Sequence, residues 1–424
     1  MTRLALWLVR IFQSDRGLCN STNTFGKESM TRVAILGWGC AVPNHYILQS
    51  EAAECLLEAA PPAIRQREEH WRRIFEHSRI RKRHTVVTRE MLHQWQHTAY
   101  VFSDSATPLR EPTAAQQAVP HGKLTASVIL HPVSNAACNG QAGPTTALRM
   151  RSYREYAAEL AEPAARQALT ESGCPPEAVT HLITASCTGF SAPGVDVQLV
   201  ERLHLSPEVM RLHVGYMGCH AAINALRAAQ GFLAHCPSAR VLLCCVELCS
   251  LHWQYTAEAE KWLGNVLFAD GAAALLLAGT GPAGTWKLTD TGSTLLANTH
   301  ELMSWMIGDH GFEMYVSPQL PVVLRRFLRD WVGNWLRRHG WSVDRVRSWA
   351  IHPGGPKILE AVAAALELSP TALEASWHVL AEYGNMSSPS VLFVLEHLRR
   401  HNAPRPALAL AFGPGLTLEV ALFE

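Results

Sequence analysis

At 424 residues, with 48% hydrophobic and 17% charged content, the chain can bury the core of one large or two medium globular domains, which excludes a disordered or fibrous protein. Its 37 Lys and Arg balance 36 Asp and Glu to a net charge of +1, so no broad attraction to nucleic acid or to an anionic membrane is expected. Eleven cysteines, odd in number and without a C-x-x-C pair, argue against a disulfide framework or a metal site and fit a reducing cytoplasm, and no run of 18 apolar residues predicts a transmembrane helix.

In chain order, residues 1–12 are apolar with Arg3 and Arg10, but the uninterrupted apolar run at 4–9 is too short for a signal h-region and no small-x-small cleavage site follows. Residues 1–29 are therefore expected to be a leader or frayed tail, with translation starting at Met1 or Met30. Val33-Ala34-Ile35-Leu36-Gly37 opens the first strand. Residues 71–74 and 79–84 carry a local run of basic side chains, the plain reading of which is a solvated face. Residues 97–143, rich in Ala, Thr, Pro and Gln, are expected to be an inserted surface loop. Thr145 or Thr146 caps a helix with Tyr153, Tyr156, Ala157 and Leu160 on one face, which Pro163 should kink and Gly173 should end.

Buried strands are expected at 181–186, 240–246 and 272–277. Between the first two, Cys219 stands alone between a glycine-bounded turn and a helix of small residues. Backbone N–H groups and the helix dipole favour an anion there, so its thiol is expected to ionise below the free value of about 8.5. A buried structural cysteine is the bland alternative. After Gly284 the pattern recurs: a strand at 349–351 runs into His352-Pro353-Gly354-Gly355, Pro356 starts a helix through Ile358, Val362 and Leu366, and Asn385 precedes a helix opened by Ser388-Pro389. Strands at 407–411 and 416–422 pair around Gly413-Pro414-Gly415. This is a layered α/β chain in two related halves, 30–283 and 284–424, with an active centre where they meet. Taken singly, His352 reads as a surface or core histidine and Asn385 as a turn former. With Cys219 they supply a base, a neutral donor and a nucleophile, each accounting for the others.

In these contexts the three residues resemble the Cys-His-Asn triad of the type III polyketide synthases, the family of chalcone and stilbene synthases and their bacterial relatives. Similar stretches are Cys-Thr-Gly-Phe-Ser-Ala-Pro-Gly at 187–194, Leu-Phe-Ala-Asp-Gly-Ala-Ala at 267–273, Gly-Asn-Met-Ser-Ser at 384–388 and Phe-Gly-Pro-Gly at 412–415. The resemblance covers residues 31–424 outside the 97–143 insertion. It implies a thiolase-like five-layer αβαβα fold and a homodimer that uses coenzyme A thioesters directly, with no carrier protein and no cofactor. It further implies that Cys219, as a thiolate beside a His352 imidazolium, loads a starter from an acyl-CoA, and that His352 and Asn385 hold the thioester oxygen of malonyl-CoA during decarboxylation. The enolate then extends the chain before closure to a pyrone or phenolic product.

On the same resemblance, Trp253 and Phe312 take the places of two gatekeeping phenylalanines, with Trp253 the bulkier departure. Cys187, Thr188 and Ser387 line the reaction cavity, and Phe412, Gly413 and Pro414 scaffold it. Arg73 meets a coenzyme A phosphate, with His70 and His77 where lysines are common. Cys187 in place of threonine resembles the bacterial branch, Ala192 replaces a methionine that reaches the partner subunit, and Ala411 replaces the first glycine of the C-terminal turn. Two rivals share the fold. An initiating ketoacyl synthase would act on a carrier protein, and an inactive interaction protein would be expected to have lost a triad member. Hydroxymethylglutaryl-CoA synthase would need a glutamate base that has no evident place.

Overall fold

The computed structural model describes residues 32–58, 60, 62–88, 90–91, 143–255 and 258–424. The expected leader at 1–29, and the expected insertion except for residue 143, lie outside the described residues. The strands are β1 (Val33–Ala41), β2 (Tyr46–Leu48), β3 (Lys82–His84), β4 (His181–Ser186), β5 (Met210–Gly215), β6 (Arg240–Leu248), β7 (Asp270–Ala278), β8 (Lys287–Leu295), β9 (Met303–Gly308), β10 (Gly311–Val316), β11 (Ser348–Ile351), β12 (Ala407–Gly413) and β13 (Thr417–Phe423). The helices that position the site are α1 (Glu68–His77), α2 (Thr146–Ser172), α3 (Ala221–His235), α4 (Ala259–Leu267), α5 (Leu320–Arg338), α6 (Pro356–Leu366) and α7 (Pro389–Arg400).

Nine strands form one sheet in the order β11-β12-β13-β8-β1-β7-β6-β4-β5. It has a waist. β1 and β8 share only the pairs Val33–Leu288 and Ala34–Lys287, whereas β6 and β7 pair along their whole length. Five strands from the first part of the chain lie on one side of that waist and four from the second part on the other.

Alternation of side chains across the strands divides the apolar residues into three cores, one for each helix layer. On β6, Leu242, Cys244, Val246 and Leu248 face the core that contains α2, while Val241, Leu243 and Cys245 face the one that contains α3 and α7. β12 repeats the division: Ala407, Ala409 and Ala411 join the central core, and Leu408, Leu410 and Phe412 join a third with α5 and α6. Helix, sheet, helix, sheet, helix make the five layers αβαβα. The central layer touches the parts of the sheet on both sides of the waist, and its contact faces are trimmed to suit: Ala221, Ala222, Ala225 and Ala229 on α3 and the three alanines of β12 are all buried.

Thr145 caps α2, its side chain accepting from the Leu148 N–H, and Gly173 ends it in the left-handed conformation. The helix continues over 27 residues through Pro163. It lies so close to β1 that a Cβ on Gly37 or Gly39 would stand 2.0 or 1.9 Å from the carbonyl oxygens of Ala168 and Ala164. The sequence pattern predicts neither a strand at β5 nor the β9–β10 hairpin. β5 is a sheet edge with Met210, Arg211, Leu212 and His213 exposed, so no apolar alternation marks it.

Candidate active site

Cys219 lies in a single 3-10 turn, Gly218–His220, that runs directly into α3. Gly218 has φ +76°, and a Cβ there would stand 2.8 Å from Pro414 Cδ, so backbone and neighbour both demand glycine. His352 leaves the end of β11 with its N–H donating to the Leu410 carbonyl at 2.8 Å. Asn385 sits in the loop before α7, bonded in both directions: its N–H donates to Leu267 O at 2.9 Å and its carbonyl accepts from Ala269 N at 2.9 Å. Asn385 Oδ1 accepts from Ser387 N at 2.8 Å, which orients the carboxamide and leaves its NH2 as the group to offer.

Three distant segments thus bring Cys219, His352 and Asn385 to the wall of one cavity, with Phe268, Trp305, Phe412 and Pro414 among its other lining residues. The three are 6%, 2% and 2% exposed. Burial raises the Cys219 thiol to about 11, although hydrogen bonds to Ser387, its own backbone and Asn385 pull the other way. This runs against the expectation drawn from the helix start: desolvation is the largest influence on the thiol and opposes the hydrogen-bond donors. Burial likewise lowers the His352 imidazole to about 3, with a smaller push from His220. Both ring nitrogens of His352 are buried without a hydrogen-bond partner among the described residues. Burial thus favours the uncharged form of both groups.

A second cavity is lined by Cys187, Thr188, Trp253, Phe312 and Ser387. It shares Gly264, Phe268, Trp305 and Met314 with the Cys219 cavity. Trp253 and Phe312 line this second chamber and not the one around Cys219; the side chains bordering both are Phe268, which falls in the 267–273 stretch, and Trp305 and Met314, which no sequence motif singles out. Phe312 is sandwiched between His252 and Trp305, with ring centroids 4.1 and 5.1 Å away. His252 is held as a neutral ring, Nδ1 accepting from Phe312 N at 3.0 Å and Nε2 donating to Thr188 O at 2.6 Å. Beneath Cys187 lies the fully buried Glu247, which accepts from Cys187 N at 3.0 Å, Thr188 Oγ1 at 2.8 Å and Ser388 Oγ at 2.6 Å. Burial raises that carboxyl above its ordinary value in spite of these donors. Burial and the Glu247 charge drive the Cys187 thiol well above the usual range. Its sulfur lies 3.5 Å from Ser387 Oγ.

Gly413 backs the site without lining either cavity. Arg73 is on the exposed face of α1, near Glu69 and outside both cavities, and His70 and His77 are exposed on the same helix. The buried face of α1 carries Trp71, which packs at 5.5 Å on Trp262 of α4, the helix that walls both chambers. Among the described residues no group of three His, Cys, Asp or Glu is placed to hold a metal ion, the nine cysteines form no disulfide, and no helix is long and apolar enough to cross a membrane.

Known proteins share this architecture. Two family models match in tandem: chalcone and stilbene synthases, N-terminal domain, over residues 121–282, and the C-terminal domain over 287–424. The chain is 36% identical over 287 residues to the alpha-pyrone synthesis polyketide synthase-like Pks18 of Mycobacterium tuberculosis, covering 65% of this chain and 72% of that protein. It is 37% identical over 272 residues to 1,3,6,8-tetrahydroxynaphthalene synthase of Streptomyces peucetius subsp. caesius, covering 62% and 72%. The crystal structure of PKS-I from the brown alga Ectocarpus siliculosus superposes with a TM-score of 0.78 at 28% identity, covering 94% of this chain and all of that one. On matches of this extent, over a fold that meets the same description, the chain belongs to the chalcone and stilbene synthase family and is a type III polyketide synthase.

Proposed function

We propose that Cys219 loads a starter acyl group from an acyl-CoA, that malonyl-CoA extends it by repeated decarboxylative condensation, and that the chain closes to a pyrone or phenolic polyketide. The observation that carries this reading is the convergence of Cys219, His352 and Asn385 on one enclosed cavity, with both His352 nitrogens unpartnered and the Asn385 NH2 left to offer. As the starter thioester arrives, the Cys219 proton passes to His352, the sulfur attacks the acyl carbon, and the departing coenzyme A thiolate takes the proton from His352. With malonyl-CoA bound, the carboxylate carbon leaves as carbon dioxide and its electron pair forms an enolate. His352 Nε2–H and Asn385 Nδ2–H donate to the enolate oxygen; donors preorganised in a dry site are worth about 10²–10³ in rate each. The enolate carbon then attacks the Cys219 thioester, expels the sulfur and lengthens the chain by two carbons. No cofactor, metal or carrier protein enters these steps.

The names of the relatives, one tied to alpha-pyrone synthesis and one to tetrahydroxynaphthalene, support a pyrone or phenolic product. Trp253 and Phe312 are read as the gate to the inner chamber, Cys187, Thr188 and Ser387 as cavity wall, Phe412, Gly413 and Pro414 as its scaffold, and Arg73 as a contact to a coenzyme A phosphate. A homodimer in the cytoplasm completes the reading. Its support is the edge position of β5, which has no strand beyond it among the described residues and where Met210 is 59% exposed beside the exposed side chains of Tyr216 and Met217. Incubating the purified protein with short, aromatic and long-chain acyl-CoA starters and malonyl-CoA, with no carrier protein, tests the assignment by mass spectrometry. An acyl adduct that disappears in Cys219→Ala and a cyclised product are expected; neither forming with any starter would refute it.

A further inference from the structure

His220 follows the nucleophile directly, is 3% exposed, and has no part in the Cys-His-Asn triad. Its Nδ1 lies 2.6 Å from Asn224 Oδ1. Asn224 Nδ2 donates to Glu419 Oε1 at 2.9 Å, and the other oxygen of that buried carboxylate pairs with Arg227. Arg227 Nε donates in turn to Thr291 Oγ1 at 3.1 Å. A carboxylate only accepts, so Asn224 must turn its NH2 toward Glu419 and its carbonyl oxygen toward His220. That places the His220 proton on Nδ1 and leaves the ring one orientation and one tautomer. The opposite edge of the ring is wedged against the C-terminal turn, where a Cβ on Gly413 would stand 2.1 Å from His220 Cδ2 and 2.8 Å from Nε2. These contacts join the two halves: His220, Asn224 and Arg227 belong to the Cys219 turn and α3, whereas Thr291, Gly413 and Glu419 belong to β8, β12 and β13.

The geometry points to His220 as a positioning residue of the condensation, which locks the Cys219 turn through Asn224 and Glu419 against the second half and so sets the nucleophile relative to His352. The inference rests on Cys219 being the loading nucleophile. A mere space filler would serve the packing on Gly413 equally well, so the hydrogen bond to Asn224 is the part that distinguishes positioning from volume. The charged and titratable groups acting on His220 are Arg227 from its own segment, Glu419 from β13 and His352 from the loop after β11. Burial leads in keeping the ring neutral, with the Asn224 bond and the Glu419 charge opposing it. Any charge that does form on His220 works against charge on His352.

The test compares wild type with His220→Phe, His220→Gln and Asn224→Ala. It reads acyl loading on Cys219 by intact mass across pH, together with kcat and KM for malonyl-CoA. His220→Phe and Asn224→Ala are expected to lower kcat on the order of 10- to 100-fold at unchanged KM, with His220→Gln, which keeps a donor, within about threefold of wild type. Loss of the neighbouring imidazole lets His352 protonate more easily, so the acid limb of loading should move to higher pH in His220→Phe and His220→Gln. If His220→Phe fails to fold, the other two variants decide. Wild-type kcat and pH profile in His220→Phe, or a His220→Gln no better than His220→Phe, would overturn the role while leaving the synthase assignment intact. A wild type that loads no acyl group would overturn both.

Discussion

Asn385 and Cys219 show how far single residues can be read. The Asn385 carboxamide is oriented by Ser387 N, so truncating it removes a donor to the malonyl thioester oxygen and, with it, one of several hydrogen bonds to Cys219. Asn385→Ala should therefore still load starter on Cys219 but lose about 10²–10³ in malonyl-CoA decarboxylation, followed as release of labelled carbon dioxide. Normal decarboxylation in that variant would contradict the assigned donor. For Cys219 the chemistry is legible in the sequence and the electrostatics are not. Its glycine-bounded turn and small-residue helix are local features, but the walls that desolvate it come from α4, β9, β10 and the turn after β12. With burial holding the thiol at about 11, alkylation of the unliganded enzyme by iodoacetamide should be slow at pH 7 and climb roughly tenfold per pH unit between 8 and 10. A rate already on its plateau at neutral pH would show that the helix start prevails over the enclosure.

Among the elements, legibility follows burial. β4, β6, β7, β12 and β13 are almost wholly buried, so their apolar runs stand out in the sequence. The β9–β10 hairpin has Met306 and Ile307 exposed and only one side against the core, and its mixed composition gives no such run. Yet this hairpin shapes the site. Trp305 and Met314 are opposite one another across its two strands and border both chambers. Trp305 also stacks on Phe312 and packs on the exposed Tyr216 at 5.9 Å, so it can be trimmed without opening the main core. Trp305→Ala should join the two chambers and shift the product spectrum toward longer starters or more extensions, with Cys219 loading preserved. Product masses identical to wild type across the starter panel would show that the indole does not limit the growing chain.

On the scale of the whole molecule, the five layers are implied by resemblance, whereas the β1–β8 waist depends on pairing between residues more than 250 positions apart and leaves no local mark. The same layering buries titratable groups that tie stability to pH. His252 and His352 are both held near 3 by burial, while an unfolded chain takes up a proton on each near 6.5. The unfolded state thus binds more protons than the native state between those values, and the stability each residue contributes is intact above pH 6.5 and is lost as pH falls toward 3. By pH 5 the loss is about 2 kcal/mol for each ring, at roughly 1.36 kcal/mol for every pH step of one below 6.5. Asp270, raised to about 6 by burial, and Glu247 act in the opposite direction, because protonating them below their native values favours the folded chain. The net acid response mixes these signs, so the decisive quantity is a difference between proteins. His352→Gln keeps a polar side chain of similar size that does not titrate. Its unfolding free energy in urea should fall about 2 kcal/mol less than that of wild type between pH 7.5 and pH 5. Equal losses in the two proteins would mean that His352 is charged in the folded enzyme at pH 5, and with it that the cavity admits enough water to solvate an imidazolium beside Cys219.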